Sequence, residues 1–86
     1  MRFNILPFVE SDSKGNVTST WKVQPTGDHG KDCLIGRQYL GLLRASMRRE
    51  DNPALLGRVV EGQMAAGIWS GIEIGFHAAL AEIAMV

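Results

Sequence analysis

The sequence predicts an α+β domain in which an N-terminal β-hairpin packs against three helices. Residues 2–24 alternate apolar and polar side chains with a period of two, which is typical of strands, whereas the apolar residues after position 33 recur at helical spacing. A segment rich in Pro and Gly at 25–32 separates the two patterns. We therefore expect one domain over residues 1–86, with a hairpin at about 2–24, a loop at 25–32 and a helical part at 33–86.

The predicted hairpin has a turn-rich centre, the segment SDSKGN at 11–16. Two sets of residues share one parity: Phe3, Ile5 and Val9 before this turn, and Ser19, Trp21 and Val23 after it. Pro7 has no N–H to give to a strand partner, so we expect the first strand to be bulged there or to lie at an edge.

The first helix is predicted from about Cys33 to Arg49, with Asp32 as its N-cap. Its apolar side chains recur at helical spacing, at Ile35, Tyr39, Leu42, Leu43 and Met47. The helix should end at the segment EDNP, where Asn52 can cap a second helix and Pro53 can take its first position without losing a hydrogen bond.

The second and third helices follow from a similar pattern of apolar and capping residues. The second has a broad apolar face of Leu55, Leu56, Val59, Val60 and Met64, and the third has an inner stripe of Ile72, Phe76, Ala79, Leu80 and Ile83. Gly67 suits the left-handed position that ends a helix, and Ser70 with Glu73 matches a capping box for the next one. The alternating β-branched residues of IWSGIEIGF (68–76) also fit a short strand, so helix and strand both stay open there. From the apolar stripes we expect a shared core of six side chains: Leu42, Leu43, Leu56, Val60, Phe76 and Leu80.

Composition and charge exclude several classes of function. Apolar residues make up 45% of the 86 positions and charged residues 21%, which is the mix of a folded protein. Nine basic and nine acidic side chains cancel, so there is no overall positive field to attract nucleic acid or an anionic membrane. No apolar stretch reaches the roughly 18 to 20 residues of a membrane span, and the N-terminus is too broken for a signal peptide. We expect a cytoplasmic protein with no membrane association.

The segment AAGIWSGIEIGFHAAL resembles in its spacing the turn and second helix of a DNA-reading helix-turn-helix. A recognition helix needs Arg, Lys, Asn or Gln to reach bases and phosphates, but residues 71–86 contain none of these. The arginines of the first helix are the remaining charged candidates, although most such stripes are simply the solvated face of a helix. The candidate partner-binding residues are Arg37, Arg44, Arg48, Arg49 and Trp21.

Catalysis and metal binding have little support in the sequence. Cys33 is the only cysteine, which excludes an internal disulfide and every zinc pattern with paired cysteines. His29 and Cys33 could form a catalytic pair near a helix start, but a buried thiol and a solvated loop histidine are more common. There is no P-loop and no dinucleotide fingerprint. We expect no enzymatic activity, no metal and no cofactor.

Residues 36–86 resemble the C-terminal part of short uncharacterised proteins encoded by bacteriophages and prophages. The resemblance rests on the DNPALLG junction and the GIEIGF segment. It implies a mobile-element origin, a bacterial cytoplasm and a small accessory protein. Some proteins of this kind, such as anti-CRISPR proteins, inhibit host defence by binding a host complex. The resemblance carries over no functional residue.

The sequence thus predicts a small non-enzymatic protein that binds and inhibits a host protein complex. The alternative is a nucleic-acid-binding regulator that uses the arginine stripe of the first helix, although the net charge makes nucleic acid the less favoured partner. A two-stranded hairpin leaves unpaired backbone groups along both edges, so we also expect a homodimer that joins two hairpins into a four-stranded sheet. This dimer is expected only from the open edges of the hairpin. The sequence does not identify the host partner.

Overall fold

The computed structural model describes residues 2–85 and confirms the α+β class, with an N-terminal hairpin followed by three helices. A short 3₁₀ helix (Phe3–Ile5) precedes the antiparallel strands β1 (Glu10–Ser11) and β2 (Val17–Ser19), and the helices are α1 (His29–Glu50), α2 (Leu55–Ala66) and α3 (Gly71–Ala84). The chain forms two compact units, each built from two segments. Residues 2–22 with Leu42–Ile68 are the hairpin unit, and Val23–Gly41 with 69–85 are the α3 unit. The prediction of one domain over 1–86 stays a prediction.

The hairpin is shorter than the predicted span of 2–24, which is a correction. Phe3–Ile5 form a 3₁₀ turn in place of a strand, and Ile5 is 64% exposed although it shares the parity of buried Phe3. Leu6 is extended with φ −64° and ψ 145°, the conformation that a residue before proline prefers, and Pro7 has no N–H for a ladder. Strand pairing therefore begins only at Glu10, opposite Ser19.

The turn between the strands is stabilised by one carboxylate. Asp12 accepts hydrogen bonds from the backbone N–H groups of Lys14 and Asn16, both at 2.9 Å, and Gly15 takes a positive φ of 85°. The hydrogen bond from the Asn16 N–H is the main cause that lowers the pKa of Asp12 below its ordinary value. The Asp and Gly of the turn thus have the roles that such residues commonly have in hairpins.

The inner face of α2 is narrower than the broad apolar face that the sequence predicts for this helix. Leu55 and Val59 are buried at 2% and 0% exposure, whereas Leu56 and Val60 are only half-buried. Of the six expected core residues, the structure fully buries Leu43 in the hairpin unit and Phe76 in the α3 unit. The expectation of one shared core of these six is therefore wrong for the four half-buried residues, namely Leu42, Leu56, Val60 and Leu80.

Helix α1 begins one turn earlier than predicted, at His29 instead of Cys33. Asp28 is the residue before the helix, and its carboxylate accepts from the Lys31 N–H at 3.1 Å, as an N-cap does. Asp32 instead lies in the first turn, is 2% exposed, and accepts from the N–H and the hydroxyl of Thr26. Asp32 therefore joins the loop to the helix and does not cap the helix.

Helices α1 and α2 are each followed by a residue in the left-handed backbone conformation. Asp51 follows α1 with φ 50°, and the Asn52 N–H reaches back to the Met47 carbonyl at 3.0 Å, which is the 6→1 bond of a Schellman motif. Gly67 ends α2 with φ 69°, and its N–H donates to the Gln63 carbonyl. The predicted left-handed role of Gly67 is confirmed.

Helix α3 begins with the predicted capping box, which settles residues 71–76 as helix. The Ser70 hydroxyl accepts from the Ile72 N–H and donates to Glu73, and the Glu73 carboxylate in turn accepts from the Ser70 N–H. The strand alternative for 68–76 is therefore not adopted. Glu73 is 0% exposed, so this cap fixes a buried carboxylate at the start of the helix.

Glycines allow α3 to lie against the first half of α1 inside the α3 unit. A Cβ at Gly75 would lie 2.1 Å from the Cys33 carbonyl oxygen, and one at Gly36 would lie 2.0 Å from the Ile72 carbonyl oxygen. Gly71 is close as well, because its Cβ would lie 2.8 Å from Cβ of Asp32. The small-residue strip of α3 is therefore used within the chain, where it lets two helix backbones approach closely.

Candidate partner-binding site

The side of α3 that lies opposite its packed side is apolar along its whole length. Ile74, Ala78, Ala81 and Met85 follow one another at steps of four, three and four residues, which places them on one side of a helix. All four are exposed, Ile74 at 39% and Met85 at 86%. These four residues are called the outer stripe of α3.

A tryptophan extends the outer stripe beyond the start of the helix. Trp69 is 62% exposed, and its ring centroid lies 5.0 Å from that of His77, one helical turn after Ile74. His77 also contacts the ring of buried Phe76 edge-on, at 5.4 Å between centroids. The two rings are tilted by 37°, and this contact places an exposed indole ring against the helix.

The charged groups of α3 are placed so that none of them lies in the outer stripe. Glu73 is buried in the capping box. Glu82 binds Arg37 of α1 with two hydrogen bonds, from Nη1 at 3.1 Å and from Nη2 at 2.6 Å. This ion pair lowers the pKa of Glu82 and raises that of Arg37. Glu82 is exposed, but it is paired with a cation, and the outer stripe itself has no charged residue.

Sequence reasoning missed the outer stripe, because it assigned only the inner stripe of α3. The signal was present: apart from Glu73, His77 and Glu82, the segment Gly71–Ala84 has no polar side chain. A helix that is apolar on every side either lies in the middle of a core or offers one face to a partner. In this structure one face packs against α1 and the opposite face is exposed.

The structure separates the predicted arginines into two groups. The guanidinium of Arg37 is engaged by Glu82 in the α3 unit. Arg44, Arg48 and Arg49 lie on the second half of α1 in the hairpin unit, and all three are exposed. Within residues 2–85 these three form no ion pair. Arg48 and Arg49 lie in the last turn of α1, where positive charge interacts favourably with the helix dipole.

Trp21 is not a surface residue, although it was predicted as a partner-binding one. It is 4% exposed, and its ring centroid lies 5.1 Å from that of Phe8, which is fully buried. The ring therefore belongs to the core of the hairpin unit. A role of Trp21 in partner binding would have to come from the small part of it that stays accessible.

The structure brings Cys33 and His29 together, as residues four apart on one helix. Sγ of Cys33 lies 3.5 Å from Nε2 of His29. Throughout the part of the chain that the structure describes, no three His, Cys, Asp or Glu side chains lie close enough together to hold a metal ion. A thiol beside an imidazole is thus present, but with no further metal ligand near it in that part.

Comparisons with known proteins add no relative to this picture. No protein-family model, no curated protein and no solved structure matches the chain. Among residues 2–85, none of the helices has the length and apolar character needed to cross a membrane.

Proposed function

We propose that the protein is a binding protein without catalytic activity of its own, and that the outer stripe of α3 contacts its partner. The observation that carries this proposal is the exposure of a continuous apolar helix face together with Trp69, at 62% exposure. Exposed apolar patches on small proteins mark sites of interaction, and tryptophan is among the residues enriched in binding hot spots.

The chemistry of the outer stripe defines the kind of partner. It has no Lys, Arg, Asp or Glu, so it offers nothing to a phosphate backbone. An apolar groove or patch on another protein matches it, because an amphipathic helix lays its apolar face into such a groove through side chains spaced as these are. The partner is accordingly a protein, with an apolar surface about three helical turns long.

The resemblance to proteins of bacteriophages and prophages favours a particular setting for this binding. In that setting the partner is a protein complex of the bacterial host, the site of action is the bacterial cytoplasm, and the effect of binding is inhibition, as with anti-CRISPR proteins. A protein of only 86 residues can inhibit a larger complex by covering a surface that the complex needs.

Quantitative affinity capture from a bacterial lysate tests the proposal. Ala78→Arg puts a charge in the middle of the outer stripe, and Ala45→Arg puts the same charge on an exposed position of α1 as the matched control. We expect the wild type and Ala45→Arg to retain the same host proteins and Ala78→Arg to lose them. Equal capture by all three proteins, or capture of none, would contradict the proposal.

A nucleic-acid-binding regulator is the second candidate, and it is favoured by Arg44, Arg48 and Arg49, which are exposed and form no ion pair within residues 2–85. Electrophoretic mobility shift with duplex and single-stranded DNA at two salt concentrations separates this candidate from the first. Binding that weakens steeply with salt and is lost on Arg44→Glu with Arg48→Glu supports the regulator. Binding of neither DNA at low salt rejects it.

A further inference from the structure

A groove of about 490 Å³ lies between β2 and α2 in the hairpin unit. On the strand side it is lined by the three consecutive residues of β2 and by the two residues that follow it, Val17–Trp21 in all. Successive strand residues point to opposite faces, so a wall made of consecutive residues is the edge of the strand and not one of its faces. The groove therefore gives access to the outer edge of β2.

This outer edge has backbone groups suited to another strand. The sheet has two strands, so β1 is the one neighbour of β2 in the described chain. No backbone hydrogen bond joins Val17–Ser19 to any other strand within residues 2–85. An open strand edge is a template for pairing with an added strand.

Three of the five α2 residues that line the groove are small, namely Gly62, Ala65 and Ala66, which leaves room beside the edge. Gly62 marks the place where α2 touches the chain just after β2, because a Cβ there would lie 2.2 Å from Oγ1 of Thr20. The Thr20 hydroxyl also donates to the Arg58 carbonyl at 2.8 Å, which fixes this end. Toward the other end the helix offers only Ala65 and Ala66.

The two ends of the groove differ in charge. The guanidinium carbon of Arg58 lies 4.9 Å from the centre of the Phe3 ring, so this cation is held in place at one end. No carboxylate of residues 2–85 forms an ion pair with it. Glu61 lies near the middle, and the alanines form an apolar opposite end.

We propose that the groove binds an extended peptide segment of a partner protein, which adds to the edge of β2 as a third strand. An acidic side chain of the segment pairs with Arg58, and an apolar side chain lies on Ala65 and Ala66. From Arg58 to Ala66 the helix rises about 12 Å, and four steps of a strand span about 13 Å. The two side chains are therefore four residues apart on the segment, where they point to the same side.

A single segment fits this groove better than a second hairpin does. A homodimer through β2 would bring two strands, β2 and β1 of the second copy, into the space beside β2 that α2 already borders. One extended segment brings one strand. The groove lies wholly in the hairpin unit and the outer stripe lies wholly in the α3 unit, so the two proposed sites can fail separately.

A displayed library of random heptapeptides, panned on the purified protein, tests this proposal. We expect the enriched peptides to have Asp or Glu four positions from Val, Ile or Leu, and the best of them, fluorescein-labelled, to shift the backbone amide resonances of Val17–Ser19. Ala65→Arg fills the apolar end and should weaken binding of that peptide by about tenfold or more. Arg58→Glu should weaken it by a similar factor, whereas Ala45→Arg, in the same unit, should leave it unchanged.

Several results would overturn the proposal. One is that panning enriches no sequence. Another is that Ala65→Arg leaves the affinity for the enriched peptides unchanged. A third is that replacing Asp by Asn in an enriched peptide does not reduce its affinity for the protein. Self-association of the wild type that Ala65→Arg abolishes would show that a second copy occupies the edge, and would equally contradict it. Each variant should have the same melting temperature as the wild type, which would show that a loss of binding is not caused by a loss of folding.

Discussion

Gly75 of α3 lies against the backbone of Cys33 in α1, and a Cβ at position 75 would come within 2.1 Å of the Cys33 carbonyl oxygen. The nearest atoms are backbone atoms, which cannot turn aside as the end of a flexible side chain can. The close approach of these helices in the α3 unit thus depends on the absence of a side chain at this position.

Gly75→Ala should therefore destabilise the protein by about 1 to 3 kcal/mol or more, since one methyl group forces the helices apart. Gly41→Ala is the matched control, because Gly41 lies in α1 with no atom within 4 Å of its Cβ position. Alanine is the better helix former, so this control should be as stable as the wild type or up to about 1 kcal/mol more stable. Urea unfolding measures both, and equal midpoints for the two variants would show that the helices do not meet at Gly75.

Leu55 and Leu56 are neighbours with different burial, and they test which face of α2 is inside. Leu55→Ala should cost about 2 to 5 kcal/mol, because Leu55 is 2% exposed. Leu56→Ala should cost clearly less, because Leu56 is half-buried. The free energy of unfolding from denaturant titration decides between them. A larger loss for Leu56→Ala would restore Leu56 as the core residue that the sequence predicts.

Ser70→Ala removes the hydroxyl from the capping box of α3. The Ile72 N–H then loses its acceptor and buried Glu73 loses one donor. We expect a loss of about 1 kcal/mol in unfolding free energy. Ser13→Ala, in the exposed hairpin turn, is the control and should change stability by less than about 0.5 kcal/mol. A Ser70 variant as stable as the Ser13 variant would mean that the cap contributes nothing.

Asp32 should make stability depend on pH below neutrality. The hydrogen bond from the Thr26 N–H is the main cause that lowers the pKa of Asp32 below its ordinary value near 3.8. A lowered folded-state pKa stabilises the fold above the unfolded-state pKa, and this stabilisation is lost as the pH falls through the folded-state value. Asp32→Asn keeps one oxygen acceptor and removes the charge. The difference in melting temperature between wild type and variant should be largest at pH 7 and should decrease below about pH 4. A difference that does not depend on pH would contradict this role of Asp32.

Local patterns predicted the helices well, because their signals lie within a few residues. The Ser70 and Glu73 capping box and the left-handed Gly67 were both found in this way. The start of α1 was missed by one turn, because Asp28 and Asp32 lie four residues apart and both resemble an N-cap from sequence. Only tertiary contacts, here those of Asp32 with Thr26, distinguish them.

The buried face of a helix could not be assigned from sequence where two apolar patterns fit the same helix. In α2 the apolar pairs Leu55–Leu56 and Val59–Val60 define two faces one residue apart, and packing selects one of them. In α3 both sides are apolar, so the pattern that assigned the inner stripe did not show that the other apolar side would be exposed. The pairing of Arg37 with Glu82 joins residues 45 positions apart, and no local spacing indicates it.

Hydroxyl-radical footprinting of the captured complex tests the central claim, that the outer stripe of α3 binds the partner. Trp69 and Met85 have readily oxidised side chains and are 62% and 86% exposed in the free protein, and Met64 of α2, at 77%, is an internal control. We expect Trp69 and Met85 to be oxidised much more slowly in the complex than in the free protein, while the rate of oxidation of Met64 is unchanged. Equal oxidation of Trp69 and Met85 in both states would contradict it.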